Sequence, residues 1–225
     1  LVGIYIRRSV DETPAFQQSI ATKHRDTDLR KHSIEPAARA FGFTIHWTVS
    51  YYIFLAYMPT FAIRHLGLDR SVALWSNTVG LLALMVVAPI AGYWSDKIGR
   101  KPLLLASCLT IGILVYPVLN YLLMKPSVAA IICAQVLFGC LIALYSGPGP
   151  AAISEIFRTS YRATGMSVGY SLAVAIFGGF APFIATWLIE ITGSPVSTAY
   201  YVLFAALVTA LVILRLPEGA HRPLK

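Results

Sequence analysis

Six stretches of this chain run for more than twenty residues without an Asp, Glu, Lys or Arg. Crossing the hydrocarbon core of a bilayer takes about 20 apolar residues. A segment exposed to lipid must satisfy its own backbone hydrogen bonds, so each stretch is predicted to be a helix. No alternation of period two suggests a membrane β-barrel. In chain order, the first to sixth spans are Ala40–Ile63, Ser71–Ser95, Pro102–Met124, Pro126–Ser154, Ala163–Ile189 and Ile191–Leu214.

The composition supports a membrane protein. Hydrophobic residues make up 57% of the chain and charged residues only 12%, whereas soluble domains carry about 25% charge. The chain is too apolar for disorder. We therefore predict an all-α membrane protein in which six transmembrane helices form one bundle.

Lys and Arg are unevenly distributed between the loops. If the N-terminal segment is cytoplasmic, 15 of them lie inside and 3 outside. Cytoplasmic loops are enriched in these residues, so we expect both ends in the cytoplasm. The net charge of +8 then reflects topology and contact with anionic lipid headgroups. It does not indicate a nucleic-acid partner.

The ends of the chain suggest a larger protein. Residues 1–8 end in Arg7-Arg8 after an apolar run and resemble the last turns of a helix leaving the membrane. We expect residues 1–38 to hold this helix end and a cytoplasmic connector, with a short surface helix near Ala15–Lys23. Residues 39–216 are predicted to form the bundle and 217–225 a cytoplasmic tail. The chain is thus expected to be the C-terminal part of a longer protein.

The turn between the second and third spans is short and highly charged. Gly99 suits a tight turn, and Gly92 permits close approach of another helix. Asp96 is placed to face the positive N-terminus of a neighbouring helix, and cations follow it. The full turn reads Gly92-Tyr93-Trp94-Ser95-Asp96-Lys97-Ile98-Gly99-Arg100-Lys101.

This pattern, G-x-x-x-D-[RK]-x-G-R-[KR], resembles the signature loop of the major facilitator superfamily. Further segments resemble its metabolite:proton symporter branch, whose members carry dicarboxylates, tricarboxylates, shikimate, proline or betaine. The matching segments are Glu12–Phe16, Ser154–Phe157, Tyr161–Gly165 and Gly178–Phe183. Arg158 departs from the Pro that is common in these relatives.

The resemblance implies that the six spans correspond to helices 7 to 12 of a twelve-helix carrier in a bacterial inner membrane. The two groups of three spans would be related by an inverted repeat. A missing N-terminal half would complete the solute site, and a proton would be the coupling ion, with no cofactor or metal. The implied gating residues are Gly92, Asp96, Lys97, Gly99, Arg100, Lys101, Glu155 and Arg162.

Polar residues inside the spans are candidates for the solute cavity. His46, Ser50 and Tyr57 share one helical face, and an intramembrane His is a functional candidate by default. A hydrogen-bonded structural His is the competing interpretation, and it stays open here. We favour cavity lining over lipid contact for Tyr51 and Tyr52. The further cavity candidates, each with helix–helix hydrogen bonding as the alternative, are Asn77, Gln135 and Tyr170.

Two further features have competing interpretations. Gly147-Pro148-Gly149-Pro150 breaks the fourth span and is either a flexible gate or a kink. The cysteines, Cys108, Cys133 and Cys140, are expected to be small packing residues, because their spacing suggests no metal site.

The sequence therefore predicts a secondary transporter that moves a small organic solute, carboxylate or betaine-like, by proton-coupled symport with alternating access. A channel or self-associating six-helix membrane protein is the alternative. A membrane enzyme is disfavoured, because no catalytic motif or paired intramembrane carboxylates occur.

Overall fold

A computed structural model describes residues 31–157, 162–216 and Glu218. The described part is helical and contains no strand, which confirms the predicted fold class. Its α-helices are α1 (Lys31–Tyr51), α2 (Met58–Leu66), α3 (Arg70–Ile98), α4 (Arg100–Met124), α5 (Val128–Ser146), α6 (Gly149–Glu155), α7 (Arg162–Ala173), α8 (Ala181–Thr192) and α9 (Thr198–Arg215). The predicted surface helix at Ala15–Lys23 lies outside the described residues.

These helices build six rods. The first rod joins α1 to α2 through a π-helical segment, Tyr52–Tyr57, and the fifth joins α7 to α8 through another, Val174–Gly179. The second and third rods are α3 and α4, the fourth combines α5 and α6, and the sixth is α9 with a short 3₁₀ turn before it. Five of the six are long and apolar enough to cross a membrane. The exception is the first rod, which carries more polar residues, among them the buried Thr44, His46 and Ser50.

Two helix boundaries differ from the predicted bounds. Helix α1 already begins by Lys31, inside the segment assigned to the connector. The turn between the fifth and sixth spans was placed at Glu190, but α8 continues to Thr192. Gly193, with φ +67°, forms the C-cap instead, because a residue without Cβ adopts this left-handed conformation without strain.

The contacts between the rods follow a two-fold pattern. The second rod packs on the fourth and the fifth on the first, while the third packs on the fourth and the sixth on the first. The third and sixth rods also contact each other. Exchanging the first three rods with the last three maps this set of contacts onto itself.

Glycines bring the second and fourth rods together at two levels. A Cβ at Gly147 would lie 2.5 Å from Ala88 O and 2.7 Å from Gly92 N, and a Cβ at Gly80 would lie 2.9 Å from Gln135 O. Small residues at both levels let the two backbones approach closely. Gly92 lies at this contact, but a Cβ there would meet Gly147 O at 3.7 Å, an ordinary contact distance, so the close approach depends on Gly147.

The interior of the bundle is apolar and aromatic, and it includes a stacked pair, Phe54 and Phe138, with ring centroids 3.7 Å apart. Cys108 is buried, Cys140 partly buried and Cys133 exposed. Large apolar side chains are also exposed on the outer faces, among them Ile113 of the third rod and Leu211 of the sixth. In a membrane protein such faces contact lipid, which is as apolar as the side chains.

Candidate functional site

The signature turn and the end of the fourth rod meet through an ion pair between Arg100 and Glu155. Their side chains are only 17% and 18% exposed. Arg100 also lies 3.7 Å from Asp96, whose side chain is 70% exposed. The pair therefore links two turns at one end of the bundle. We call this end the charged end and define it by residues 96–101, Glu155 and Arg162.

The dipoles of the two helices add to the free energy that depends on this ion pair, beyond the attraction between the two side chains. Arg100 is the first residue of α4, and Glu155 is the last residue of α6. Each charge alone stands at the unfavourable end of its helix. The two charges neutralise one another, so removing one leaves the other opposed by its own helix and largely out of water.

Glu218 is a site residue that the sequence reasoning missed. Its carboxylate accepts hydrogen bonds from the backbone N–H groups of Arg100, at 3.0 Å, and Lys101, at 3.1 Å. It therefore holds the position at the N-terminus of α4, where an anion is favoured. Asp96 was predicted to face a helix N-terminus. Within the described residues, its carboxylate instead lies near the Arg100 guanidinium.

Other basic residues of the charged end have their own contacts. The Lys101 ammonium donates to the carbonyls of Leu214, at 2.7 Å, and Leu216, at 3.0 Å. These bonds tie the end of the sixth rod to the start of the third. Lys97 lies over the ring of Tyr93 with 4.4 Å to its centroid.

Arg162 stays close to its own turn. It donates to the Phe157 carbonyl at 3.4 Å and does not form an ion pair with Glu155 among the described contacts. Among the implied gating residues, Arg100 thus lies between Asp96 and Glu155, and Arg162 has no ion pair with them in the described contacts.

Gly99 completes the turn, with φ +109°. A Cβ at this position would lie 3.0 Å from the Glu218 carboxylate. Both the backbone conformation and the approach of Glu218 therefore require glycine here.

The stripe assigned to the cavity lies inside the bundle instead. His46 is fully buried, and Ser50 and Tyr57 are buried as well. The ring of His46 lies 5.5 Å from that of Tyr145 on the fourth rod, and its backbone N–H donates to Thr209 of the sixth. A residue facing out of the bundle would be exposed here, so the structure does not place these three side chains on an open side of the bundle.

The His46 ring makes one polar contact. Nδ1 lies 3.3 Å from the Ser50 hydroxyl, while Nε2 is buried without a partner in the described structure. The geometry fits the competing interpretation of His46 as a structural residue, with its ring in contact with a hydroxyl of its own helix.

Two of the other cavity candidates bind each other. The Gln135 amide donates to the Asn77 side-chain oxygen at 3.2 Å, linking the fourth and second rods. Gln135 is buried and Asn77 is half-buried. This is the helix–helix hydrogen bond that the sequence analysis gave as the alternative for such residues.

Trp47 packs against the break in the fourth rod and forms a hydrogen bond beside it. Its indole N–H donates to the Ser146 hydroxyl at 2.9 Å, immediately before the break. A Cβ at Gly149 would lie 3.2 Å from the Trp47 ring. The helix resumes at Gly149, so the break is a short interruption with an aromatic ring packed against it.

A polar surface of the fifth rod, together with Tyr51 of the first, is exposed. The side chains of Thr164, Ser167 and Ser171 lie on one helical face, separated by three and four residues. Tyr170 is beside them, and its ring lies 5.9 Å from that of Trp47. We call Tyr51, Thr164, Ser167, Tyr170 and Ser171 the polar face. Of the predicted cavity residues, Tyr51 and Tyr170 are on it.

Comparison with known proteins gives one family. The family model described as "Sugar (and other) transporter" matches residues 5–225. The ectoine/proline transporter ProP of Corynebacterium glutamicum is 26% identical over 239 residues, covering 100% of this chain and 47% of the relative. The proline/betaine transporter of Escherichia coli (strain K12) gives the same identity and coverage.

A putative proline/betaine transporter of Staphylococcus aureus (strain COL) is 28% identical over 219 residues, with 95% of this chain and 47% of the relative covered. The chain thus spans about half the length of the curated relatives it matches. No solved structure gives a significant match.

Proposed function

Since the chain belongs to the sugar (and other) transporter family of the major facilitator superfamily, we propose that it is one bundle of a two-bundle secondary transporter. Its relatives are named as transporters, so the whole protein would be a membrane solute transporter and not an enzyme. The solute of the whole protein would be a small zwitterion or carboxylate of the proline or betaine kind. Movement would occur by alternating access at the interface of the two bundles.

The exposed polar face is the observation that carries this proposal. Hydroxyl groups turned toward hydrocarbon lose hydrogen bonds to water without replacement. On the third and sixth rods the exposed side chains include many large apolar ones, whereas the fifth rod exposes hydroxyl groups beside the apolar Val168 and Leu172. The polar face therefore fits contact with water and a second bundle, and the apolar faces fit contact with lipid.

The length relation to the relatives supports a second bundle. The chain covers 47% of each of the relatives named above. A second six-helix half opposite the polar face would close a solute site between the two. This arrangement distinguishes the carrier from a self-associating six-helix protein, whose partner would be another copy of the same face.

The charged end would face the cytoplasm, as the Lys and Arg distribution of the loops indicates, and the membrane would be the inner membrane of a bacterium. There the Arg100–Glu155 pair and the Glu218 cap would act together as a latch that favours one conformation. The braced break at Gly147–Pro150 would give the fourth rod a point of bending during the transition.

Proton coupling is part of the proposal, with the coupling group in the second bundle. Within the described residues, every Asp and Glu lies near a rod end, and the titratable His46 is enclosed by its own bundle. A proton-binding group must reach water on alternate sides of the membrane. His46 lacks such access in this conformation.

The test is uptake of labelled glycine betaine and proline by the full-length protein in sealed vesicles. An inward proton gradient should drive accumulation above the external concentration, and a protonophore should abolish it. A channel would only equilibrate the solute, with or without the gradient.

A further inference from the structure

Two aromatic rings form a corner where the first, fourth and fifth rods meet. The rings of Trp47 and Tyr170 are 5.9 Å apart with an interplanar angle of 72°. The hydrogen bond from the indole N–H to Ser146, at 2.9 Å, fixes the orientation of the Trp47 ring. Tyr51 follows Trp47 by one helical turn, which places a third ring on the same side of the first rod.

The corner is open to the outside of the bundle. Tyr51 is 41% and Tyr170 39% exposed, and Trp47 is half-buried. Trp47 and Tyr170 each lie seven residues inside the start of their predicted span, about 10 Å deep at 1.5 Å per residue. The rings therefore share one level within the membrane.

On the described parts of the first, fourth and fifth rods, no Asp, Glu, Lys or Arg lies within seven positions of Trp47, Ser146 or Tyr170. The acidic residues of the described structure lie at rod ends, so no carboxylate of this bundle is placed to pair with a cation there. The faces of the rings carry negative potential, which attracts cations within about 6 Å of the ring centroid. Rings that stand nearly perpendicular present such potential from two sides.

We propose that Trp47, Tyr51 and Tyr170 form an aromatic corner that holds the methylated ammonium group of the solute by cation–π contact. This inference rests on the proposed function. It specifies which chemical group of the solute this bundle would bind. The corner would discriminate in favour of methylated ammonium compounds, because their charge is spread over methyl groups that fit against ring faces.

Competition experiments separate the charge from the shape of the ligand. Glycine betaine and tert-butylacetate have the same shape, but the second has carbon in place of the ammonium nitrogen. Each would compete with labelled glycine betaine for uptake by the full-length protein in vesicles. The readout is the ratio of the two inhibition constants, tert-butylacetate over betaine.

Tyr170→Leu removes one ring and keeps an apolar side chain. A cation–π contact corresponds to about a 2- to 30-fold change in affinity, so we expect the ratio to fall by about that factor. Tyr170→Phe keeps the ring and should retain most of the selectivity. Tyr121→Leu is the matched control, since Tyr121 is an exposed tyrosine on the third rod, away from the corner.

Each outcome decides the inference. A ratio that stays at the wild-type value in Tyr170→Leu would overturn it, even if uptake itself were slower. Equal weakening of both competitors would also overturn it, because that pattern indicates a loss of packing. Wild-type protein that carries proline but is not inhibited by betaine would reject the corner and leave the transporter proposal standing. Absence of any solute uptake would reject both.

Discussion

Neutralising Glu155 should destabilise the charged end by more than a surface ion pair is worth. In Glu155→Gln, Arg100 would keep only the contact with Asp96, which is exposed and 3.7 Å away. Its guanidinium would remain about five-sixths buried, at the N-terminus of α4, where a cation is unfavourable. The Arg100 Nε atom already lacks a hydrogen-bond partner in the described structure.

The expected loss of unfolding free energy in Glu155→Gln lies between two limits. Exposed ion pairs contribute about 0–1 kcal/mol, and removing one partner of a fully buried pair costs about 3–5 kcal/mol. Side-chain exposures of 17% and 18% place this pair nearer the buried limit, and Asp96 offsets part of the loss. We expect about 1–3 kcal/mol for Glu155→Gln.

A double-mutant cycle of Arg100→Gln and Glu155→Gln measures the pair itself. Reversible unfolding of the full-length protein in mixed micelles would give the free energies. We expect a coupling of at least about 1 kcal/mol. The matched control is Glu35→Gln with Arg39→Gln, because that pair is exposed by 71% and 46% and should couple by less than about 0.5 kcal/mol. Additivity within about 0.5 kcal/mol for Arg100 and Glu155 would refute the reasoning.

Three further predictions test other parts of the structure. Asp96→Asn should reduce uptake while leaving the amount of protein in the membrane near normal, as measured by initial rates and immunoblotting; wild-type uptake would contradict a role in the latch. Gly147→Ala should destabilise the protein by about 1–3 kcal/mol through overpacking, because its Cβ would meet Ala88 O at 2.5 Å. Gly179→Ala, whose Cβ would meet nothing nearer than 3.9 Å, should stay within about 1 kcal/mol, and equal effects would show that the close approach is not limiting. His46→Gln should leave the pH profile of uptake unchanged, since His46 is enclosed within the bundle; loss of the pH dependence would make it a coupling residue.

The sequence predicted the helices because uncharged stretches long enough to span a bilayer have few alternatives. It also predicted the tight turn at Gly99, whose positive φ suits glycine. The turn near Glu190 was misplaced because a charged residue was taken as a boundary. A helix near the membrane surface continues through such a residue when its side chain reaches the interface.

The site was harder to predict, because the spacing of residues on a helix does not show which other helix packs against them. His46, Ser50 and Tyr57 are all buried, and only tertiary packing shows that the His46 ring lies against Tyr145 of another rod. Glu218 was missed because its partners are backbone N–H groups more than a hundred residues away.

Part of the polar face follows from the sequence, because the hydroxyl residues of the fifth span are separated by three and four positions. That spacing shows which residues share a helical face, but it does not show whether the face turns outward. Only the packed bundle shows that the face is exposed.

The central claim, that the polar face lines a water-filled solute path, is tested most directly by cysteine accessibility. Single cysteines would replace Ser167 and Ser171 on the polar face and Ile113 and Leu211 on the outer apolar faces, in full-length protein lacking its native cysteines. We predict that a membrane-impermeant, water-soluble thiol reagent modifies the first two and not the last two, and that saturating betaine slows the modification. Equal labelling of both pairs, or no labelling of Ser167→Cys and Ser171→Cys from either side of the membrane, would contradict the account.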